Sequence, residues 1–161
     1  MTFTSGPKSF ETGRMSDGNR AFGVTNEVVR GVSRMLLDMG YSPIQEFALP
    51  SGRRLDIAAI SDRGEIAAVE VKVSVEDFRG DCKWVEYLDY CDRYFFAVPD
   101  GFPLDLLPAE HGLIVADRFG AGIVREAKFT PIVAARRKSM LIRFARVAGE
   151  RYARLVDPRQ S

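Results

Sequence analysis

Two carboxylates and one lysine stand close together in an apolar part of the sequence. Asp56 lies within the run 55–60, and Glu70 and Lys72 lie two residues apart in the run 66–73. Carboxylate oxygens from two adjacent segments are ligands that suit Mg²⁺ or Mn²⁺. A lysine beside such a metal can orient the attacking water or stabilise charge on a phosphate. The alternative interpretation is a structural ion pair between Lys72 and one of the carboxylates.

The two apolar runs predict a β-hairpin, since residues 61–65 between them are turn-forming. Side chains alternate along a strand, so Lys72 should point to the same face as Glu70. In such a hairpin Asp56 lies directly opposite Glu70, so the two carboxylates repel each other. Burial would raise the pKa of one of them unless a cation binds to the pair. With the turn centred on Arg63, the register pairs Ile60 with Ile66, Ala58 with Ala68, and Asp56 with Glu70.

The opposite face of the hairpin is predicted to be apolar along its whole length. Two mostly apolar faces indicate a sheet that is covered on both sides. The residues assigned to this opposite face are Leu55, Ile57, Ala59, Ala67, Val69, Val71 and Val73.

Composition and charge favour one globular domain with a polyanionic partner. The chain has 161 residues, of which 46% are hydrophobic, and it lacks an apolar run near 18 residues, so we expect a cytoplasmic protein that does not enter membranes. Residues 125–161 carry 10 Lys and Arg against 3 acidic residues, net +7, whereas the other 124 residues are net −6. A basic C-terminal segment on an acidic body fits a polyanion held near a metal site.

The Gly- and Ser-rich residues 1–20 predict a flexible N-terminal tail, and residues 21–161 are assigned to a single domain. The first helix is predicted over 24–39, with Glu27 in its first turn. Glu27 could complement the helix dipole or project into the metal cleft.

The remaining apolar patterns predict alternating strands and helices. Lys83 and Tyr87, one helical turn apart, could face either solvent or the cleft. Arg136, Arg143 and Arg146 share one flank of the last helix, as a phosphate-binding ridge or as a solvated face. The predicted elements are a strand over 43–50, a helical stretch over 74–90 with Gly80 as the place for a break, a strand over 94–98, a short helix over 103–109, a hairpin over 112–125 and a helix over 131–147.

This order, with Asp56 on the second strand and Glu70-x-Lys72 on the third, resembles the restriction-endonuclease-like PD-(D/E)xK nuclease superfamily. Leu55 stands where that motif has proline, and Glu27 falls on the acidic position of the first helix in the resolvase-like branch. The resemblance implies an α/β fold with an αβββαβ core. Its mixed four-stranded sheet would be flanked by helices, with an added β-hairpin and C-terminal helix.

Over residues 24–148 the chain more closely resembles the MmcB family of bacterial DNA-repair proteins, which are regarded as endonucleases. This implies repair of DNA damage, including crosslinking damage, by Mg²⁺- or Mn²⁺-dependent hydrolysis of DNA. The matching text includes Ser51 to Asp56, Gly64 to Ile66, Val69 to Lys72, Val75 to Arg79, Asp81, Lys83, Trp84, Tyr87, Cys91 to Arg93, Phe95 to Val98, Gly112 to Asp117 and the helix from Arg136 to Arg146.

The resemblance assigns roles to particular residues. Asp56, Glu70 and the Val71 carbonyl would hold the metal, Lys72 would position the water, and Glu27 would add an acidic group. Phosphates would be held by Arg54, Lys83 and the arginines of the last helix, and Tyr87 would contact the scissile region or a base.

The expected partners are DNA and other repair proteins, with the chain a monomer or homodimer and associated with the nucleoid during repair. Two alternatives remain open at this point. The domain could bind DNA without cutting it, or serve as a protein-interaction module of a repair complex.

Overall fold

The predicted hairpin lies within a larger sheet. In the computed structural model, which describes residues 17–158, strand β2 (Arg54–Ile60) pairs antiparallel with β3 (Ile66–Val71), and β1 (Ser42–Ala48) pairs antiparallel with β2. The predicted register is confirmed from the Ile57–Val69 pair to the Ile60–Ile66 pair.

Three further strands extend the sheet from β3. Strand β4 (Arg93–Pro99) runs parallel to β3, β5 (Gly112–Ala116) runs parallel to β4, and β6 (Ala121–Arg125) runs antiparallel to β5. The α/β class and the mixed sheet are confirmed, but the prediction of four strands was wrong. The predicted added hairpin, β5 and β6, hydrogen-bonds to β4 and completes a six-stranded sheet in the order β1 to β6.

Helices cover both faces of the sheet. Helix α1 (Asp17–Asp38) packs on one face, and the other face carries a short α2 (Val75–Arg79), the 3-10 helix Lys83–Tyr90 and α3 (Ala134–Val156). A second 3-10 helix, Leu104–Leu106, follows β4.

Both long helices begin and end at residues other than those predicted, and the short helix predicted over 103–109 covers only Leu104–Leu106. Helix α1 begins at Asp17, seven residues before the predicted start at residue 24, and residues 1–16 of the predicted tail lie outside the described part of the chain. The helical stretch over 74–90 breaks at Gly80, as expected, between α2 and the 3-10 helix. Helix α3 begins three residues later than predicted and continues nine residues further, to Val156.

Two apolar clusters hold these layers together, one on each face. Val28, Val32 and Leu36 of α1 pack on Ile57, Val69 and Val71, as the alternation predicts. Leu55 was assigned to that face but lies in the other cluster, with its cross-strand partner Phe47. Leu55 and Ala58 lie in one cluster, so the alternation of β2 is interrupted between them, and β1 is interrupted alongside, where Glu46 adopts a left-handed φ of 49°.

Asp92, immediately before β4, fixes the start of β3 and the course of the chain into α3. Its side chain is fully buried and accepts the amides of Ile66 at 2.8 Å and Ile132 at 3.0 Å. The Arg137 guanidinium donates to both carboxylate oxygens, at 2.5 and 2.6 Å. Burial raises the pKa of Asp92, but Arg137 and the two amides outweigh burial and hold that pKa below its ordinary range.

Candidate metal and nucleic-acid site

Asp56, Glu70 and Lys72 meet on the sheet face opposite α1. The Lys72 ammonium donates to Glu70 Oε1 at 3.3 Å, which confirms that the two side chains share a face. Asp56 Oδ2 accepts the backbone amide of Val71 at 2.7 Å, so its carboxylate is tied to the residue between Glu70 and Lys72. The hairpin therefore brings the three predicted residues together.

Hydrogen bonds and opposite charges only partly offset the cost of burying the carboxylates of Asp56 and Glu70. Glu70 is only 5% exposed. Burial, together with the charge of Asp56, raises the pKa of Glu70 to about 8, although Lys72 acts to lower it. Burial also raises the pKa of Asp56, against the lowering effect of the Val71 amide and Lys72. Within residues 17–158, Glu70 Oε2 is buried without a hydrogen-bond partner, so one oxygen of the pair has an unused bonding capacity.

Lys72 has a second, shorter contact that the sequence did not reveal. Its ammonium, in a side chain 3% exposed, lies 2.7 Å from Asp81 Oδ2. Burial lowers the pKa of Lys72, but the hydrogen bond to Asp81 and the charge of Glu70 raise it above its ordinary value overall. Asp81 lies nine residues after Lys72, beyond α2. In the sequence it was noted only as one of the residues that match the MmcB family.

An open cleft of about 550 Å³ lies beside this cluster. The side chains of Arg54 and Lys83 are exposed there, and that of Arg54 lies 3.7 Å from Glu46. The structure therefore brings Arg54, Lys83 and Tyr87 to the same cleft as Asp56, with Tyr87 largely buried. The cleft is lined by Ala48, Gly52, Arg53, Arg54, Asp56, Gly80, Asp81, Lys83 and Tyr87.

The three predicted arginines of α3 have different surroundings. Arg136 donates to the Asp89 carbonyl at 3.2 Å and lies over the Tyr90 ring, 5.0 Å from its centroid. Arg143 donates at 3.4 Å to the carbonyl of Ala48, which lines the cleft. The side chain of Arg146 is 76% exposed and lies 3.7 Å from Glu150. Only Arg143 therefore contacts a residue of the cleft.

Glu27 is the one predicted acidic residue that the structure leaves apart from the others. It is exposed on α1, and α1 packs on the sheet face opposite Glu70. Because α1 begins at Asp17, Glu27 does not lie in the first turn as predicted, and it has no role at the helix N-terminus.

The residues at the Asp56–Glu70 pair fit a divalent cation. Two carboxylates are present, and the unpaired Glu70 Oε2 is an oxygen that a cation would satisfy. In the described chain no group of three His, Cys, Asp or Glu side chains could hold a metal. Any further ligand would therefore be a backbone carbonyl, a neutral side chain, a water or a substrate oxygen, and Mg²⁺ commonly retains several waters and substrate oxygens.

No helix between residues 17 and 158 has the length and apolar character needed to cross a membrane.

Comparison with known proteins finds a matching family and a similar solved structure. The family described as DNA repair protein MmcB-like matches residues 12–159. The solved structure of SPO1766, a protein of unknown function from Silicibacter pomeroyi, is similar, with 43% sequence identity and a TM-score of 0.81. That match covers 83% of this chain and 92% of the other. No curated protein matches the chain.

Proposed function

The chain belongs to the MmcB-like family of DNA repair proteins, and from this premise we propose that it hydrolyses DNA phosphodiester bonds with Mg²⁺ or Mn²⁺. One observation carries the proposal: Glu70 is buried beside Asp56 and Lys72 with an oxygen unpaired in the described chain. Carboxylates beside a cleft whose pKa is raised by burial are common at functional sites.

The order of elements supports the PD-(D/E)xK form of this proposal. Helix α1, strands β1 to β3, helix α2 and strand β4 follow the αβββαβ order of that nuclease core. Strand β4 is parallel to β3, whereas β1 to β3 form an antiparallel meander. In this interpretation β5, β6 and α3 are additions to the core.

Each residue of the cluster has a chemical role in the proposal. Asp56 and Glu70 would hold the metal, with the Val71 carbonyl as a further ligand. A bound Mg²⁺ would neutralise the carboxylates and act as a Lewis acid on the scissile phosphate. Lys72 would donate a hydrogen bond to the attacking water or to a phosphate oxygen, where negative charge develops in the transition state. Glu27 receives no role, because α1 lies on the opposite face.

The cations around the cleft would hold the DNA backbone. Arg54 and Lys83 lie at the cleft, and Arg143 hydrogen-bonds to a residue of its lining. Phosphate contacts of this kind position a nucleic acid without reading its sequence. We therefore propose DNA as the substrate because of the family match and the cations at the cleft. The DNA backbone would bind near the carboxylates.

A second candidate function is DNA binding without cleavage, within a complex of repair proteins. The exposure of Arg146 on α3, outside the lining of the cleft, favours it. This reading predicts binding that persists in EDTA and is unaffected by Lys72→Ala.

A cleavage assay separates the two candidates. Labelled duplex, single-stranded, flap and branched DNA would be incubated with Mg²⁺, Mn²⁺ or EDTA and with wild type, Lys72→Ala, Asp56→Asn or the surface control Arg63→Ala. The nuclease proposal expects metal-dependent cutting that Lys72→Ala and Asp56→Asn lose and Arg63→Ala keeps. Salt-sensitive binding without cutting by any of them would favour the second candidate.

A further inference from the structure

Asp81 holds the shortest contact of the Lys72 side chain. Its Oδ2 lies 2.7 Å from the Lys72 ammonium, compared with 3.3 Å for Glu70 Oε1. Charge-assisted hydrogen bonds of 2.7–2.9 Å are the stronger class. Asp81, rather than Glu70, is therefore the main restraint on where the ammonium lies.

The backbone around Asp81 fixes its carboxylate in turn. The other oxygen, Oδ1, accepts the amide of Lys83 at 2.8 Å. The amide of Gly80 donates to the Glu76 carbonyl at 2.9 Å, and that of Asp81 donates to the Phe78 carbonyl at 3.3 Å. The turn between α2 and the 3-10 helix thus presents Asp81 to the cleft with both oxygens in use.

Among the described residues, this arrangement leaves one N–H of the Lys72 ammonium without an acceptor. An ammonium group has three N–H bonds, and Glu70 and Asp81 accept two of them. Both acceptors are fixed, Glu70 by its strand and Asp81 by its turn, so the direction of the third N–H is set. A water or phosphate oxygen bound beside Glu70 and Asp81 would be a suitable acceptor for it.

We propose that Asp81 is a positioning residue, which aims the Lys72 ammonium at the reacting phosphate or water. The inference rests on the proposed nuclease function and deepens it. Asp81 itself touches neither metal nor DNA in this account, and it acts through Lys72. Misplacing a catalytic group by about 1 Å can cost about 100-fold in rate.

Single-turnover cleavage tests the proposal. We expect Asp81→Asn to slow cleavage by about 10- to 100-fold with unchanged DNA affinity in Ca²⁺, and Asp81→Glu to recover part of the rate. In a Lys72→Met background, chosen because it keeps the apolar stem, Asp81→Asn should cause no further loss. Asp62→Asn, the same change at the exposed turn of the hairpin, is the control.

Two kinetic results would overturn the proposal. One is an Asp81→Asn variant that cleaves as fast as Asp62→Asn. The other is an equal loss from Asp81→Asn with and without Lys72, which would show that Asp81 acts by another route.

A measurement that needs no activity separates this inference from the proposed function. In a ¹⁵N NMR spectrum of lysine ammonium groups, the Lys72 signal should be protected in wild type, lost in Asp81→Asn and retained in Asp62→Asn. A wild type that cuts no DNA overturns the nuclease and the catalytic part of the inference together. A Lys72 signal unchanged by Asp81→Asn overturns the restraint itself, whatever the activity.

Discussion

Two buried carboxylates stand at opposite ends of β3 and differ in how their charge is met. Near the start of the strand, Asp92 accepts two amides and both arms of the Arg137 guanidinium. Near the end, Glu70 accepts one 3.3 Å hydrogen bond from Lys72, and within the described chain its second oxygen has no partner. The pKa shifts follow this difference, lowered at Asp92 and raised to about 8 at Glu70.

In our proposal this difference, and not burial, separates an acid that serves the fold from one that binds a ligand. A buried charge with complete hydrogen bonding serves the fold, because its desolvation is offset within the protein. A buried charge with unmet bonding capacity weakens the fold unless something else binds there. Glu70 and Asp56 are in the second condition when both are ionised, and either a proton on Glu70 or a bound cation would relieve it.

Replacing each acid with its amide should change the free energy of unfolding differently at the two positions. Asp92→Asn places an NH₂ group against the donors of Arg137, so the free energy of unfolding should fall by about 3–5 kcal/mol. Glu70→Gln removes a charge that is incompletely paired, so stability in metal-free buffer at pH 8 should stay the same or rise. Urea unfolding of both variants and of Asp62→Asn measures this. A Glu70→Gln loss as large as that of Asp92→Asn would contradict the distinction.

The two acids should also give stability opposite dependences on pH. The folded state keeps a proton on Glu70 up to about pH 8, whereas the unfolded chain releases it near its ordinary pKa of 4.5. This contribution is therefore full below pH 4.5 and is lost as pH rises towards 8, by at most about 1.4 kcal/mol per pH unit. The contribution of Asp92 is present above its ordinary pKa of 3.8 and is lost as pH falls through its lower folded value.

The free energy of unfolding, measured in EDTA between pH 5 and 8, tests the expected loss of stability at Glu70 as the pH rises. Wild type should lose stability relative to Glu70→Gln as the pH rises. A difference between the two proteins that does not change with pH would show that the Glu70 carboxyl is ionised throughout.

Local rules predicted the hairpin and the grouping of Asp56, Glu70 and Lys72, because turn chemistry and strand alternation act over a few residues. They failed at Leu55, which lies in the same cluster as Ala58 because the alternation of β2 is interrupted beside the left-handed Glu46 of β1. They also could not find the role of Asp81, whose contact with Lys72 depends on how the turn after α2 returns to the sheet.

The partners of Asp92 were equally beyond the sequence. They come from β3, from the segment before α3 and from α3 itself, which lie up to 45 residues away. The end of α3 was missed for another reason, because residues 151–156 are exposed and show no buried apolar stripe.

The same contrast extends, with a smaller effect, to the arginines of α3. The Arg137 side chain is 27% exposed and engaged by Asp92, whereas that of Arg146 is 76% exposed. Arg146→Ala should leave stability almost unchanged and lower the slope of log DNA affinity against log salt by about 1, the loss of one phosphate contact. Arg63→Ala, exposed at the hairpin turn, is the matched control. Equal slopes for both variants would show that Arg146 does not contact a DNA phosphate.

Metal binding by calorimetry at pH 7.5 tests the central claim most directly, that the Asp56–Glu70 pair is a cation site. The account predicts one Mn²⁺ bound per chain in wild type and in Asp62→Asn, and none in Asp56→Asn or Glu70→Gln. Wild type that takes up no Mn²⁺ at millimolar concentrations, or Asp56→Asn that binds it as wild type does, would contradict the account.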